Sequence, residues 1–129
     1  MNNTLAQKRS AFALESIMRL TGNRKDFAKL TAGLPAMILQ NGFGQTLAFL
    51  LAKGTNKDLR IEETNKHIQA FDIMICWLKE QKILPDASRP QEIKTLSELD
   101  QGRYLYAQEE AMKVLEWVKR YANAGLFSE

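Results

Sequence analysis

The sequence predicts an all-α protein, a compact helical bundle of about five to six helices forming a single domain over residues 1–129. Three observations carry that prediction. Apolar residues recur at alternating gaps of three and four, as at Ile68, Phe71, Ile75 and Leu78, the spacing of one helix face. No segment alternates apolar and polar residues between turn signals, so no sheet is expected. The stretch Leu34 to Lys53 is the longest with almost no charge, a natural centre for the other elements to pack around. A chain of 129 residues has the size of one domain. It buries roughly two-thirds of its unfolded surface, enough for a core without staples.

The first helix is expected from the N-cap Thr4 to about Leu20, with Ala6, Ala13, Ile17 and Leu20 sharing a face with Ala11, Leu14 and Met18. Thr21-Gly22-Asn23 ends it. A short helix over Lys25–Thr31, anchored by Phe27 and Leu30, leads to the central stretch. There Gly33 is read as a breaker and Pro35 as a first helical residue. Asn41–Gly44 then divides the stretch into two short helices or one broken helix. Gln40, Asn41 and Gln45 are its strongly polar side chains, expected either to cap the local backbone or to face a partner. A long helix follows from about Glu62 to Lys82, apolar over most of its circumference. Pro85 and Pro90 bracket a loop, with a weak helical turn over Glu92–Leu99. The last helix runs from Asp100 to Ala124 or Gly125 with a core stripe of Tyr104, Ala107, Ala111, Val114, Val118 and Tyr121. Glu109–Lys113 and Glu116–Arg120 are spaced as solvated ion pairs.

Composition narrows the functional classes. Apolar residues are 45% and charged residues 26% of the chain, ordinary for a soluble domain. Met1-Asn2-Asn3-Thr4 lacks the features of a signal peptide, and no apolar run nears the ~20 residues of a membrane span. A soluble, cytoplasmic protein without a membrane partner is therefore expected. The lone Cys76 lies in the apolar run Ile73–Leu78 and reads as a buried, inert thiol. The single His67 has no nucleophile at catalytic spacing and reads as a partly exposed helix residue. One His, one Cys and scattered carboxylates match no metal-ligand spacing. Glu62-Glu63 and Glu109-Glu110 are adjacent, so on a helix they diverge and read as solvated surface. Gly42-Phe43-Gly44 lacks the lysine of a phosphate loop. No enzyme activity, cofactor, metal or small-molecule substrate is expected.

The net charge of +3 permits contact with nucleic acid without demonstrating it. Its carriers fall in local clusters, Lys8-Arg9, Arg24-Lys25-Lys29, Lys53-Lys57-Arg60 and Lys113-Lys119-Arg120. Each reads either as solvated surface or as part of a cationic stripe. No aromatic platform beside basic residues is evident, so readout of base sequence is not expected.

Two blocks resemble a known family. Leu34-Pro35-Ala36-Met37-Ile38-Leu39-Gln40-Asn41-Gly42-Phe43-Gly44-Gln45-Thr46-Leu47-Ala48-Phe49, followed by Lys53, is similar to the signature of the small subunit of the Cmr complex, a type III-B CRISPR effector. Tyr104, Ala107, Glu110-Ala111 and Glu116–Ala122 resemble that family's closing helix, although Leu105 and Gln108 depart from its pattern. The resemblance implies a non-catalytic helical subunit. It would stack with copies of itself in a filament, contact the scaffold and large subunits, and help hold guide RNA and target RNA. On that reading the RNA-binding candidates are Arg9, Arg24, Lys25, Lys29, Lys53, Lys57, Arg103, Lys113, Lys119 and Arg120. The interface candidates are Gln40, Asn41, Gly42, Phe43 and Gln45. The competing reading is a helical protein–protein adaptor with no nucleic-acid role.

Overall fold

The computed structural model describes residues 2–126, so the expected domain span, 1–129, extends beyond the described chain at both ends. Its elements are α1 (Leu5–Met18), α2 (Arg24–Asn41), α3 (Phe43–Lys53), α4 (Lys66–Glu80), α5 (Arg89–Glu98) and α6 (Gln101–Ala122). The fold is all-α, as the periodicity predicts. The single departure among the described residues is an isolated antiparallel bridge between Thr55 and Ile61.

Local chemistry sets most boundaries. Thr4 opens α1 with a reciprocal capping box: the Gln7 N–H donates to Thr4 Oγ1 at 3.1 Å and the Thr4 N–H to Gln7 Oε1 at 2.7 Å. Asn23, Asn65, Ser88 and Asp100 cap α2, α4, α5 and α6 through their side-chain oxygens. Two of these caps correct the expected limits. The long helix starts at Lys66 rather than Glu62, because Asn65 caps it and residues 62–65 form a turn. The turn expected from Glu92 is a full helix that includes Pro90 in its first turn, where a missing N–H costs nothing.

The larger correction is α2. The expected Lys25–Thr31 helix and the first half of the central stretch are one helix, with Gly33 and Pro35 inside it. An interior proline costs about 3 kcal/mol. Phe27, Leu34 and Ile38 lie on one face with at most 1% of their surface accessible, and burying each contributes about 1.5–3 kcal/mol. Packing therefore outweighs the breaker. The foreseen break falls at Gly42, whose φ of +88° and ψ of 161° end α2 and begin α3. Gln40, Asn41 and Gln45 do not cap this junction; all three are exposed, and α3 has no side-chain cap. Its Gly44 N–H instead donates to the Tyr104 hydroxyl at 2.7 Å.

The core joins Phe27, Leu34, Ile38, Phe43, Leu47 and Leu50 to Phe71, Met74, Trp77 and Leu78 of α4 and Ala107, Val114 and Val118 of α6. Through this core runs a polar link that neither charge pattern nor hydropathy suggests. Arg9 and Glu110, both expected on the surface, are buried against each other. Arg9 donates to Glu110 from Nε at 3.1 Å and from Nη2 at 2.7 Å, and Trp77 Nε1 donates to the same carboxylate at 3.0 Å. The buried face of α1 is accordingly Arg9, Ala13 and Ile17, while Ala6 and Ala11 are exposed and Met18 is 58% accessible. Burial alone pushes the Glu110 carboxyl up. The Arg9 and Trp77 hydrogen bonds, with the charges of Arg9 and Lys113, outweigh it and hold the group below its usual 4.5.

Glu110→Ala would strand a buried guanidinium and should lower the unfolding free energy by about 3–5 kcal/mol in denaturant titration. Because the folded-state value of Glu110 is depressed, its contribution is present above pH 4.5 and is lost as the pH falls through the folded value. Glu110→Gln should therefore flatten the acid limb of the stability–pH curve. Gly42→Val should cost about 1–3 kcal/mol, since its backbone lies in a region that essentially only glycine occupies; an unchanged melting temperature would contradict that geometry.

Candidate functional site

The connections between helices sort the charged residues toward the two ends of the bundle. At one end, Ile17 and Leu20 share a depression with Arg24, Lys25, Tyr121 and Ala122. Gln69 of α4 clasps the preceding turn there. Its Oε1 accepts from the Thr21 N–H at 3.0 Å, and its Nε2 donates to the Thr21 carbonyl at 2.8 Å. The end of α3 joins them, because Phe49 meets the His67 ring and Gly54 packs against Ile68 at the start of α4. The ends of α1, α3 and α6 thus meet the starts of α2 and α4. At the other end the Gly44–Tyr104 bond joins the starts of α3 and α6.

This arrangement brings Arg24, Lys25, Lys53, Lys119 and Arg120 to one end, together with Lys66, which the sequence reading did not single out. Lys25, Lys53 and Arg120 are exposed. Arg24 donates to the Ile17 carbonyl at 2.9 Å, which fixes the α1–α2 turn. Lys119 reaches Glu116 at 3.4 Å, so Glu116 pairs with Lys119 where Arg120 was expected. Lys29 lies exposed about one turn along α2, and Lys57 is exposed on the loop between Lys53 and Lys66. Three candidates fall elsewhere. Arg103 sits exposed in the first turn of α6, some 26 Å along the helix axis from Arg120 at 1.5 Å per residue. Lys113 pairs with Glu109 at 2.9 Å, as its spacing predicts. Arg9 is enclosed with Glu110 and is removed from the surface candidates. Among the interface candidates Gln40, Asn41 and Gln45 are exposed and Gly42 is half-buried. Phe43 has no accessible surface; it is a core residue.

The chain between the two lysines is tightly folded. A Cβ on Gly54 would lie 2.2 Å from Ile68 Cγ1, so only glycine lets α3 close against α4. Asn65 Oδ1 accepts from the His67 N–H at 2.7 Å and lies 3.0 Å from His67 Nδ1. Burial first, then the charges of Lys66 and Lys53, push the His67 imidazole below its usual value. Phe49, one turn before Lys53, meets the His67 ring nearly edge-on, with centroids 6.1 Å apart.

Elsewhere a groove of about 920 Å³ is lined by Leu51, Ile61, Cys76, Lys79, Arg89 and Ile93. Its charges are mutually committed. Arg89 binds Asp72 at 3.0 and 2.8 Å, and Lys79 pairs with the buried Glu92. Cys76 is exposed rather than buried. Its thiol is nevertheless pushed up, chiefly by desolvation, which disfavours the nucleophilic thiolate. Among the described residues no cluster of three or more His, Cys, Asp or Glu could hold a metal. Among the same residues no helix is long and apolar enough to cross a membrane.

The geometry defines a small all-α protein whose one end collects cations from four helices and whose interior carboxylates are neutralised within the fold. Comparison with known proteins sharpens that class. The family model for "CRISPR-associated protein (Cas_Cmr5)" matches residues 5–125, and the chain belongs to that family. A "CRISPR system Cmr subunit Cmr5" of Thermotoga maritima is 31% identical over 107 residues, which covers 82% of this chain and 71% of that protein.

Gly54→Ala should cost about 1–3 kcal/mol through displacement of the fully buried Ile68. It should also move the His67 resonances, because the α3–α4 junction would open; unshifted signals would show that the junction absorbs the methyl group.

Proposed function

We propose that this protein is a non-catalytic small subunit of a cytoplasmic Cmr-type CRISPR ribonucleoprotein. In that role the domain stacks with copies of itself beside the scaffold and large subunits and helps hold guide and target RNA. Family membership supports the assignment to the complex. The observation that carries the RNA role is the convergence of Arg24, Lys25, Lys53 and Lys66 on one end of the bundle. The opposite end suits protein contact. Gln40, Asn41 and Gln45 are exposed there beside Leu39, which is 71% accessible. The commitment of Arg9, Glu110, Lys79, Glu92 and Arg89 to internal ion pairs supports the absence of catalysis.

Magnitudes favour repetition over strong individual binding. Two phosphate contacts per copy on a single strand give a salt slope of about −1.4, so a fourfold salt increase costs about sevenfold in affinity. Copies laid along one RNA gain avidity without any new contact.

Co-purification with guide RNA and scaffold subunits tests the assembly role; isolation without either would favour an adaptor outside this complex. Lys25→Glu, Lys53→Glu and Lys66→Glu combined should lower target-RNA loading of the assembled complex and remove most of the salt slope of about 1.4 per copy that two phosphate contacts supply, with helix content unchanged. Unaltered loading would remove the RNA role from this end while leaving subunit membership intact.

A further inference from the structure

The sequence offers no aromatic platform beside basic residues, yet folding builds one. Phe27, Phe43 and Phe71 are at most 1% accessible, whereas Phe49 keeps 37% of its surface open. It lies on the outer face of α3 with Gln45, Ala48, Ala52 and Lys53, all exposed. The two alanines leave low relief around the ring. His67 approaches from α4 with its plane at 79° to that of Phe49, so the rings form a corner. The contacts of Asn65 with His67 Nδ1 and the His67 N–H hold the imidazole in place. The Lys53 ammonium lies 5.9 Å from the Phe49 centroid, at the outer limit of a cation–π contact and therefore free to leave the neutral ring for an anion. Lys66 flanks His67 on the other element.

We propose that Phe49 forms a stacking step for one unpaired base of a single-stranded RNA, with the perpendicular His67 ring bounding its edge and Lys53 and Lys66 holding the phosphates on either side. This rests on the RNA role proposed above and deepens it by naming where a base, as distinct from a phosphate, meets the protein. Stacking is indifferent to base identity because every base has a π face, so the site would grip without reading sequence. An acidic peptide would satisfy the lysines equally but would make no use of the two rings. The imidazole, held below its usual value by burial and the two lysines, is mostly neutral near pH 7 and presents an uncharged face.

His67 is the only histidine in the chain, which makes its ring resonances an unambiguous reporter. The full-length protein is titrated by NMR with an eight-adenosine RNA, an abasic ribose-phosphate oligomer of equal length, and polyglutamate. The RNA should shift the Phe49 ring signals upfield and move those of His67, whose ring meets the edge of the base, whereas the abasic oligomer should bind without the upfield Phe49 shift. Phe49→Leu should weaken RNA binding about fivefold or more and leave the abasic oligomer unaffected. Phe49→Trp should hold or tighten RNA binding, which keeps the test valid if the leucine variant proves unstable. Lys53→Gln with Lys66→Gln should weaken both polymers alike. Lysine-dependent RNA binding that ignores both Phe49 variants would overturn the stacking step and spare the RNA role. Polyglutamate shifting the rings as strongly as RNA would overturn it in favour of an acidic protein segment. No response to RNA or to the abasic oligomer would overturn it as well, and the loading assay on the assembled complex then decides the RNA role separately.

Discussion

The carboxylate of Glu110 is the constraint on which the rest of the bundle depends. It is 2% accessible, and an ionised group at that depth is tolerated only if its charge and lone pairs are met inside the protein. Arg9 from α1 meets it with two donors and Trp77 from α4 with a third. Three helices distant in sequence are thereby held at one point in a fixed mutual orientation. Apolar packing alone is forgiving of sliding and rotation, because any well-filled arrangement of Leu, Ile and Phe is nearly as good as another. A bidentate ion pair is not forgiving. Moving α1 by one residue against α6 would leave two buried charges apart, so the pair gives the bundle its register.

Register in turn governs what reaches the surface. With α1, α4 and α6 tied together, the turn 19–23 falls onto Gln69. The start of α2, the start of α4 and the end of α3 are then drawn to one end. The cations there belong to segments that alternate with apolar runs along the chain, and none of those segments is strongly basic by itself. A modest net charge of +3 becomes a local excess at this end, where Asp26 and Glu116 offset part of it, because several other acids are paired elsewhere. Glu63 and Asp72 serve Arg89, Glu92 serves Lys79, and Glu110 serves Arg9. Internal pairing of carboxylates and exposure of lysines are two aspects of one distribution of charge.

The fold was legible in the chain to the extent that its cause is local or periodic. Alternating gaps of three and four placed α4 and α6; Thr4 marked the start of α1 through cap chemistry; Asn41–Gly44 located the α2–α3 break. The readings that failed share a different cause. Pro35 was taken as a start because its local penalty is visible, whereas the buried face that overrides it depends on partners far along the chain. Arg9 and Glu110 were placed on the surface because a charged residue is exposed by default, and nothing within 100 residues of Arg9 announces its partner. Phe43 was read as an interface residue because it lies in the family-like block at the central break, although Gly42 turns the chain there so that the Phe43 ring enters the core. Of the candidate site, the sequence reading named Lys53 and found no aromatic platform, passing over Phe49 one turn before it. The approach of His67 and Lys66 was not readable, because it depends on Gly54 closing the junction across a loop of irregular backbone.

Helix α6 is fastened by polar contacts at three heights: Tyr104 to the Gly44 amide, Glu110 to Arg9 and Trp77, and the Tyr121 hydroxyl to Ser10 Oγ at 2.6 Å. The first engages the start of α3, while the other two engage the neighbouring Arg9 and Ser10 of α1, so fraying at one end leaves the others intact. Amide protons in the middle of α6 can then exchange with solvent only when the whole molecule opens. A protein built this way loses its closing helix together with everything else or not at all, and carries no half-detached segment to entangle its neighbours during assembly.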